Sequence, residues 1–189
     1  MRGIKKGSTG YIRMRRNRMH HLTLLLLAAD LIMFFTAQVY FGSNRNLFSI
    51  FAALICLPIA KCGVSAIVLF RARGCSAGAE EQIRRHVGAL DHLYELYLTS
   101  YSRNFQISHA AFACKNIVAF TETRDCDGPA AEKHIRDMLE NNGMRGYSVK
   151  LFFSLDRYLD RLDSLNRLAE QTEKEDLRNV RELLLVLSI

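Results

Sequence analysis

Apolar and polar positions divide this chain into two unequal parts. Residues 22–41 (LTLLLLAADLIMFFTAQVYF) and 47–70 (LFSIFAALICLPIAKCGVSAIVLF) are apolar on every side, with one charged residue each, Asp30 and Lys61. Each reaches the ~20 residues that a helix rising about 1.5 Å per residue needs to cross a ~30 Å hydrocarbon core. A core helix of a soluble protein would show a polar face instead. The pattern predicts a transmembrane helical hairpin closed by the short connection GSNRN.

After the small-residue linker GCSAG the pattern turns amphipathic. Residues 79–101 place Ile83, Val87, Leu90, Tyr94, Tyr97 and Tyr101 on one helical stripe. Residues 105–113 (FQISHAAFA) and 117–123 (IVAFTET) are runs of β-formers around Cys114-Lys115-Asn116, a predicted hairpin. Asp127-Gly128-Pro129 opens a helix that Asn142-Gly143 ends, and residues 147–153 (YSVKLFF) read as a third strand. Ser154 precedes a helix carrying Leu155, Leu159, Leu162, Leu165 and Leu168. Thr172 with Glu175 has capping-box form before a last segment, RELLLVLSI, that periodicity alone leaves as helix or strand. The expected architecture is a two-helix transmembrane hairpin plus a small cytoplasmic α/β (α+β) domain of order α-β-β-α-β-α-α. Its expected parts are a basic tail (1–21), the hairpin (22–70), a linker (71–78) and the domain (79–189).

The formal charge of +7 would suit a nucleic-acid binder, but its placement does not. Seven basic residues precede the first span, whereas from Arg71 onward 17 basic and 18 acidic residues nearly cancel. Lys and Arg flanking a span favour the cytoplasmic side. Both the N-terminal flank and Arg71, Arg73, Arg84 and Arg85 are therefore expected there, giving a two-span cell-membrane protein with both termini inside. A cleaved signal peptide would have a shorter apolar core and a small-residue cleavage site, where this chain has Gln38-Val39-Tyr40-Phe41. The five cysteines form no CxxC pair and no metal-ligand spacing. Cytoplasmic placement argues against disulfides.

Counted from the cytoplasmic ends of a hairpin, Asp30 and Lys61 reach similar depth. A lone charge there costs at least ~2.5–3.5 kcal/mol. The expectation is an intramembrane Asp30–Lys61 ion pair that fixes the register of the two helices. Two helices cannot enclose a pore, so a conduction role is the lesser reading.

The domain carries no Gly-rich phosphate loop, zinc spacing or GxSxG elbow. The run QISHAAFACKNIVAFTETRD resembles the central hairpin of nuclease-related (NERD-type), restriction-endonuclease-like domains, whose pattern is Q-I-D-H, an apolar run, a turn, a second apolar run and E-T-K. GAEEQIRRHVGAL resembles the first helix of that family, and the resemblance covers residues 78–153. It implies Glu80 or Glu81 as the helix acid, Ser108 in place of the strand aspartate, and Glu122 and Arg124 in place of glutamate and lysine. The catalytic candidates are thus Glu122, Arg124 and Glu81, with Glu122 and Asp125 as Mg²⁺ ligands if the domain is an enzyme. Metal-assisted hydrolysis needs two or three convergent carboxylates, and Ser108 removes one. Arg124 keeps a positive charge but does not readily give up a proton. A surface ion pair between Glu122 and Arg124 on one strand face is the plainer alternative.

These observations favour a membrane-anchored binding or sensing module that needs no cofactor. Its expected partners are the lipid bilayer and either a membrane-associated protein or further copies through the hairpin. The alternatives are a membrane-anchored, Mg²⁺-dependent phosphodiesterase acting on nucleic acid, and an oligomerising membrane effector.

Overall fold

The computed structural model describes residues 4–42, 47–100, 103–172 and 177–188. They form two compact units, Ile12–Ala72 and a second that joins Met1–Tyr11 to Arg73–Ile189. The connection around Arg45, Tyr101 and the capping residue Glu175 lie outside the described residues.

The first unit consists of α1 (Tyr11–Phe41) and α2 (Leu47–Arg71). Both are long and apolar enough to cross a membrane, with mean hydropathies of 2.0 and 2.2 over an 18-residue stretch within Tyr11–Tyr40 and within Ile50–Arg71. Leu24, Leu25, Ile32 and Phe35 of α1 and Leu54, Leu57, Val64 and Ile67 of α2 are all more than half exposed. A run of bare aliphatic side chains on this scale suits lipid rather than water. Helix α1 starts well before its apolar run and takes in Arg13, Arg15, Arg16 and Arg18, residues expected in a tail.

The expected Asp30–Lys61 pair is corrected. Asp30 is buried and its Oδ2 accepts a hydrogen bond from Cys56 Sγ at 3.5 Å. Lys61 is exposed, and among the described residues no ion pair joins it to Asp30. Depth matching left out rotation. Cys56 faces Asp30, and five residues further along α2 the side chain has turned roughly 140° about the axis.

The second unit has the order α3 (Ala77–His86), β1 (Asp91–Thr99), β2 (Asn104–Ala113), β3 (Asn116–Phe120), α4 (Gly128–Asn141), β4 (Ser148–Phe152), α5 (Leu155–Gln171) and α6 (Arg178–Leu187). The expected order lacked a strand. Residues 79–101 are not one helix, because Gly88 at φ +55° ends α3 and the chain re-enters as β1. Strand β1 is buried along Leu93–Leu98 on both faces, so it lacks the polar alternation that marks a strand, and its tyrosines fall at helical spacing by coincidence. The closing segment is helical to Leu187, with Ser188 bridging to Leu98 of β1.

The sheet runs β1-β2-β3-β4, with β1–β2 and β2–β3 antiparallel and β3–β4 parallel. Cys114 and Lys115, both at positive φ, make the two-residue β2–β3 turn whose twist matches the strands. Asp127 caps α4 through Ala130 N–H at 3.2 Å, with Pro129 in the first turn, and β4 follows as expected. One face of the sheet is covered by α4 and α6 through Ile135, Leu139, Val180 and Leu184. The other is covered by α3 and α5 through Ile83, Val87, Tyr158 and Leu162. The N-terminal segment joins this unit: Gly7 O accepts the Tyr94 N–H at 2.8 Å and Lys6 Nζ donates to Ser188 O at 2.5 Å. Segment and Ser188 together cover part of edge strand β1, whose free backbone groups would otherwise invite pairing with another chain.

Gly88 is required twice over. Its backbone is left-handed, and a Cβ there would lie 2.6 Å from Asn166 Oδ1, the residue whose Nδ2 bonds His86 O at 2.7 Å. Gly88→Ala is expected to cost the second unit about 1–2 kcal/mol. Urea unfolding followed by tyrosine fluorescence measures this, and an unchanged midpoint would contradict it.

Candidate functional site

Two of the residues singled out in the sequence, Ser108 and Glu122, meet beside the start of α3. Pairing between β1 and β2 keeps one register from Asp91↔Phe112 to Thr99↔Asn104 but omits the pair Glu95–Ser108. Glu95 sits there at φ +54°. Side-chain alternation flips across the gap: Leu93, Leu96 and Leu98 all belong to the α4/α6 face, while Tyr94 belongs to the α3/α5 face. The interruption frees Glu95 and Ser108 from the regular pleat, and both are buried.

Ser76 caps α3. Its Oγ accepts from Ala79 N–H at 3.3 Å and donates to Glu122 Oε1 at 2.6 Å, and its own N–H donates to Glu122 Oε2 at 2.8 Å. Both carboxylate oxygens of Glu122 are thereby engaged at a helix N-terminus, where the dipole favours negative charge. The Glu122 N–H in turn donates to Ser108 Oγ at 3.2 Å. Glu80 lies in the first turn of the same helix, and Glu95 Oε1 accepts from Gly10 N–H at 2.9 Å. Gly74 lets that carboxylate come close, since a Cβ would sit 2.5 Å from Glu95 Oε1. Cys75 is surrounded by all three acids. Burial, then the charges of Glu122, Glu80 and Glu95, push its thiol up to about 12, which keeps it protonated and a poor nucleophile.

On the α3/α5 face lies His109, fully buried, with Nδ1 2.5 Å from the Tyr158 hydroxyl and its ring 4.3 Å from that of Tyr94. Burial, with a smaller contribution from His92, lowers its pKa to about 3, so the ring is neutral at physiological pH. Burial raises the Tyr94 and Tyr158 hydroxyls, that of Tyr94 to about 12.

Of the sequence-derived candidates, the fold joins Ser108 and Glu122, while Glu80, in the first turn of α3, pairs its carboxylate with Arg84. Glu81 points elsewhere, into an exposed pair with Arg85. Arg124 and Asp125 are exposed in the turn after β3, which ends at Phe120. The same-face strand pair Glu122–Arg124 is therefore corrected, as neither residue is on a strand and no ion pair joins them among the described residues. Among the described residues no group of three His, Cys, Asp or Glu is placed to hold a metal ion. Sequence reasoning missed Glu95 and the packing of Tyr94 and Tyr158 around His109. The one available signal was a carboxylate inside the apolar run LYELYL.

A cavity of about 710 Å³ opens near the other end of α3, lined among others by His86, Leu90, Phe112, Asp163 and Asn166. His86 Nδ1 lies 3.0 Å from both Asp163 carboxylate oxygens on its wall. The size falls in the range of small-molecule sites.

No family model, curated protein or solved structure matches this chain.

Two measurements probe the site. Ser76→Ala is expected to lose about 1 kcal/mol through the cap. In a double-mutant cycle with Glu122→Gln the coupling is expected to exceed ~0.5 kcal/mol; additive losses would show that the contact carries no energy. His109 sets a pH dependence. Its folded pKa lies below the unfolded one, so between about 3 and ~6.5 the unfolded chain binds more protons and stability falls as pH falls. In an NMR titration the His109 imidazole is expected to stay neutral down to about pH 4; titration near 6.5 would refute the buried geometry.

Proposed function

We propose that this chain is a two-span integral membrane protein whose cytoplasmic α/β domain is a non-catalytic binding or sensing module built on a restriction-endonuclease-like core. The topology supports the core assignment: helix α3 precedes three antiparallel strands, α4 crosses over, and β4 lies parallel to β3. Of the positions that the sequence resemblance selects, Ser108 and Glu122 are hydrogen-bonded to each other beside the start of α3, the helix that carries Glu80, which also favours it. The hairpin and the basic flanks support a cell-membrane location with both termini in the cytoplasm.

One observation carries the non-catalytic reading. Both oxygens of Glu122, the residue that would have to hold a cation, are hydrogen-bonded to the Ser76 cap. A metal would need to break two charge-assisted bonds and uncap α3, against a strand position where Ser108 offers no charge. Arg124, in the place of a catalytic lysine, is turned out to solvent. The cavity beside His86 and Asp163 supplies a place for a small ligand remote from the locked carboxylate.

The competing reading, a Mg²⁺-dependent phosphodiesterase, draws on Glu95, a buried carboxylate opposite Ser108 that would replace the missing acid. Full-length protein in detergent, incubated with Mg²⁺ and single- and double-stranded DNA and RNA, separates the two. No cleavage above the Glu122→Gln variant is expected. Cleavage that Mg²⁺ supports and Glu122→Gln abolishes would overturn the binding-module reading.

A further inference from the structure

Among the described residues no ion pair answers Lys61. It is the twelfth residue of the 22-residue apolar segment Ile50–Arg71, so it stands near the middle of the span. From there roughly 15 Å of hydrocarbon extends to either surface, and the four-carbon stem of lysine covers less than half of that distance. Snorkelling, which relieves lysines near helix ends, does not relieve this one.

The side chain is exposed, and bare aliphatic side chains surround it along the helix: Leu54, Leu57, Val64 and Ile67, between 56% and 70% exposed. The acid inside the hairpin, Asp30, is 7% exposed and accepts from Cys56. Its Oδ1 has no hydrogen-bond partner, yet it is sealed between α1 and α2, so it is not on offer to Lys61 or to the surface of a second copy.

Resting on the membrane-spanning reading above, we infer that the Lys61 face of α2 is a docking surface for a transmembrane helix of another protein that bears a carboxylate at mid-span. The charge selects that occupant. A bilayer-centre ammonium costs at least ~2.5–3.5 kcal/mol alone, and a carboxylate on a facing helix suffers the same penalty until the two meet. Apolar residues on both sides of Lys61 give such a helix a surface to pack on, and the charge fixes its depth. A second copy fits less well, because its exposed α2 face would bring lysine against lysine while its acid stays enclosed.

The test uses full-length protein with a donor dye, reconstituted in phosphatidylcholine vesicles with acceptor-labelled Leu-rich transmembrane peptides that carry Asp, Lys or Leu at the central position. Carbonate extraction of the vesicles comes first. A chain that washes off would refute the membrane reading itself, separately from the docking. With the chain retained, the Asp peptide is expected to give at least threefold more energy transfer than the Leu or Lys peptide, and Lys61→Leu and Lys61→Gln are each expected to abolish the difference. Equal transfer from all three peptides would overturn the inference, and so would an Asp-peptide signal that survives both variants. Donor–acceptor transfer between copies of the chain that depends on Lys61 would overturn the choice of occupant in favour of self-assembly.

Discussion

The missing pair between Glu95 and Ser108 organises the whole second unit. A regular β1–β2 ladder would send alternate side chains to opposite faces throughout. Leaving this pair out, with Glu95 in left-handed backbone, lets Leu93, Leu96 and Leu98 all face α4 and α6 while Tyr94 and His109 face α3 and α5. Both cores thus depend on one irregularity. A non-glycine residue at positive φ costs of order 1–3 kcal/mol and persists only where its surroundings over-determine it. Here they do: the carboxylate bonds Gly10, packs against Gly74 and stands among the acids around Cys75.

The same region receives the chain on both sides of the apolar hairpin. Gly10, immediately before α1, is bonded to Glu95 of β1. Arg73, just beyond α2, gives its N–H to the Gln106 side chain of β2 at 3.1 Å and accepts from the same amide through its carbonyl. Two buried polar side chains on adjacent strands therefore fasten the two segments that the hairpin separates in sequence by some sixty residues. The segment read as a free basic tail is in part a component of the folded unit, with Gly7 at φ +84° wedged against Leu93 and Leu185.

What was legible in the sequence followed from signals with local causes. The apolar runs, the turn after Ala113 (two residues, since Asn116 read with it already pairs in β3), the Asp127-Gly128-Pro129 helix start and the Asn142-Gly143 stop each act within a few residues. The failures share a different cause. Strand β1 was hidden because a strand buried on both faces carries no alternation, and its strained Glu95 makes sense only once β2 lies beside it. The Asp30–Lys61 pair failed because depth can be counted along a sequence, whereas the face a residue presents depends on how two helices pack. Of the candidate site, Glu80, Ser108 and Glu122 were found by motif resemblance, but the bond that decides the chemistry of Glu122 comes from Ser76, in what read as a linker.

The two halves of the molecule treat their exceptional charges in opposite ways, and the difference says where a partner is needed. In the second unit Glu122 is hydrogen-bonded in place by the Ser76 cap of α3, and Glu95 by the backbone of Gly10, so those acids are engaged by structure. In the hairpin Asp30 is enclosed with a thiol as its donor, a weak hydrogen bond for a carboxylate. Lys61 is left exposed on the surface of the hairpin. A charge that a fold satisfies internally stabilises that fold, whereas a charge it leaves on a lipid-facing surface is a cost until something else answers it. On the membrane-spanning reading proposed above, the apolar hairpin is the part of this molecule whose exposed charge calls for a partner.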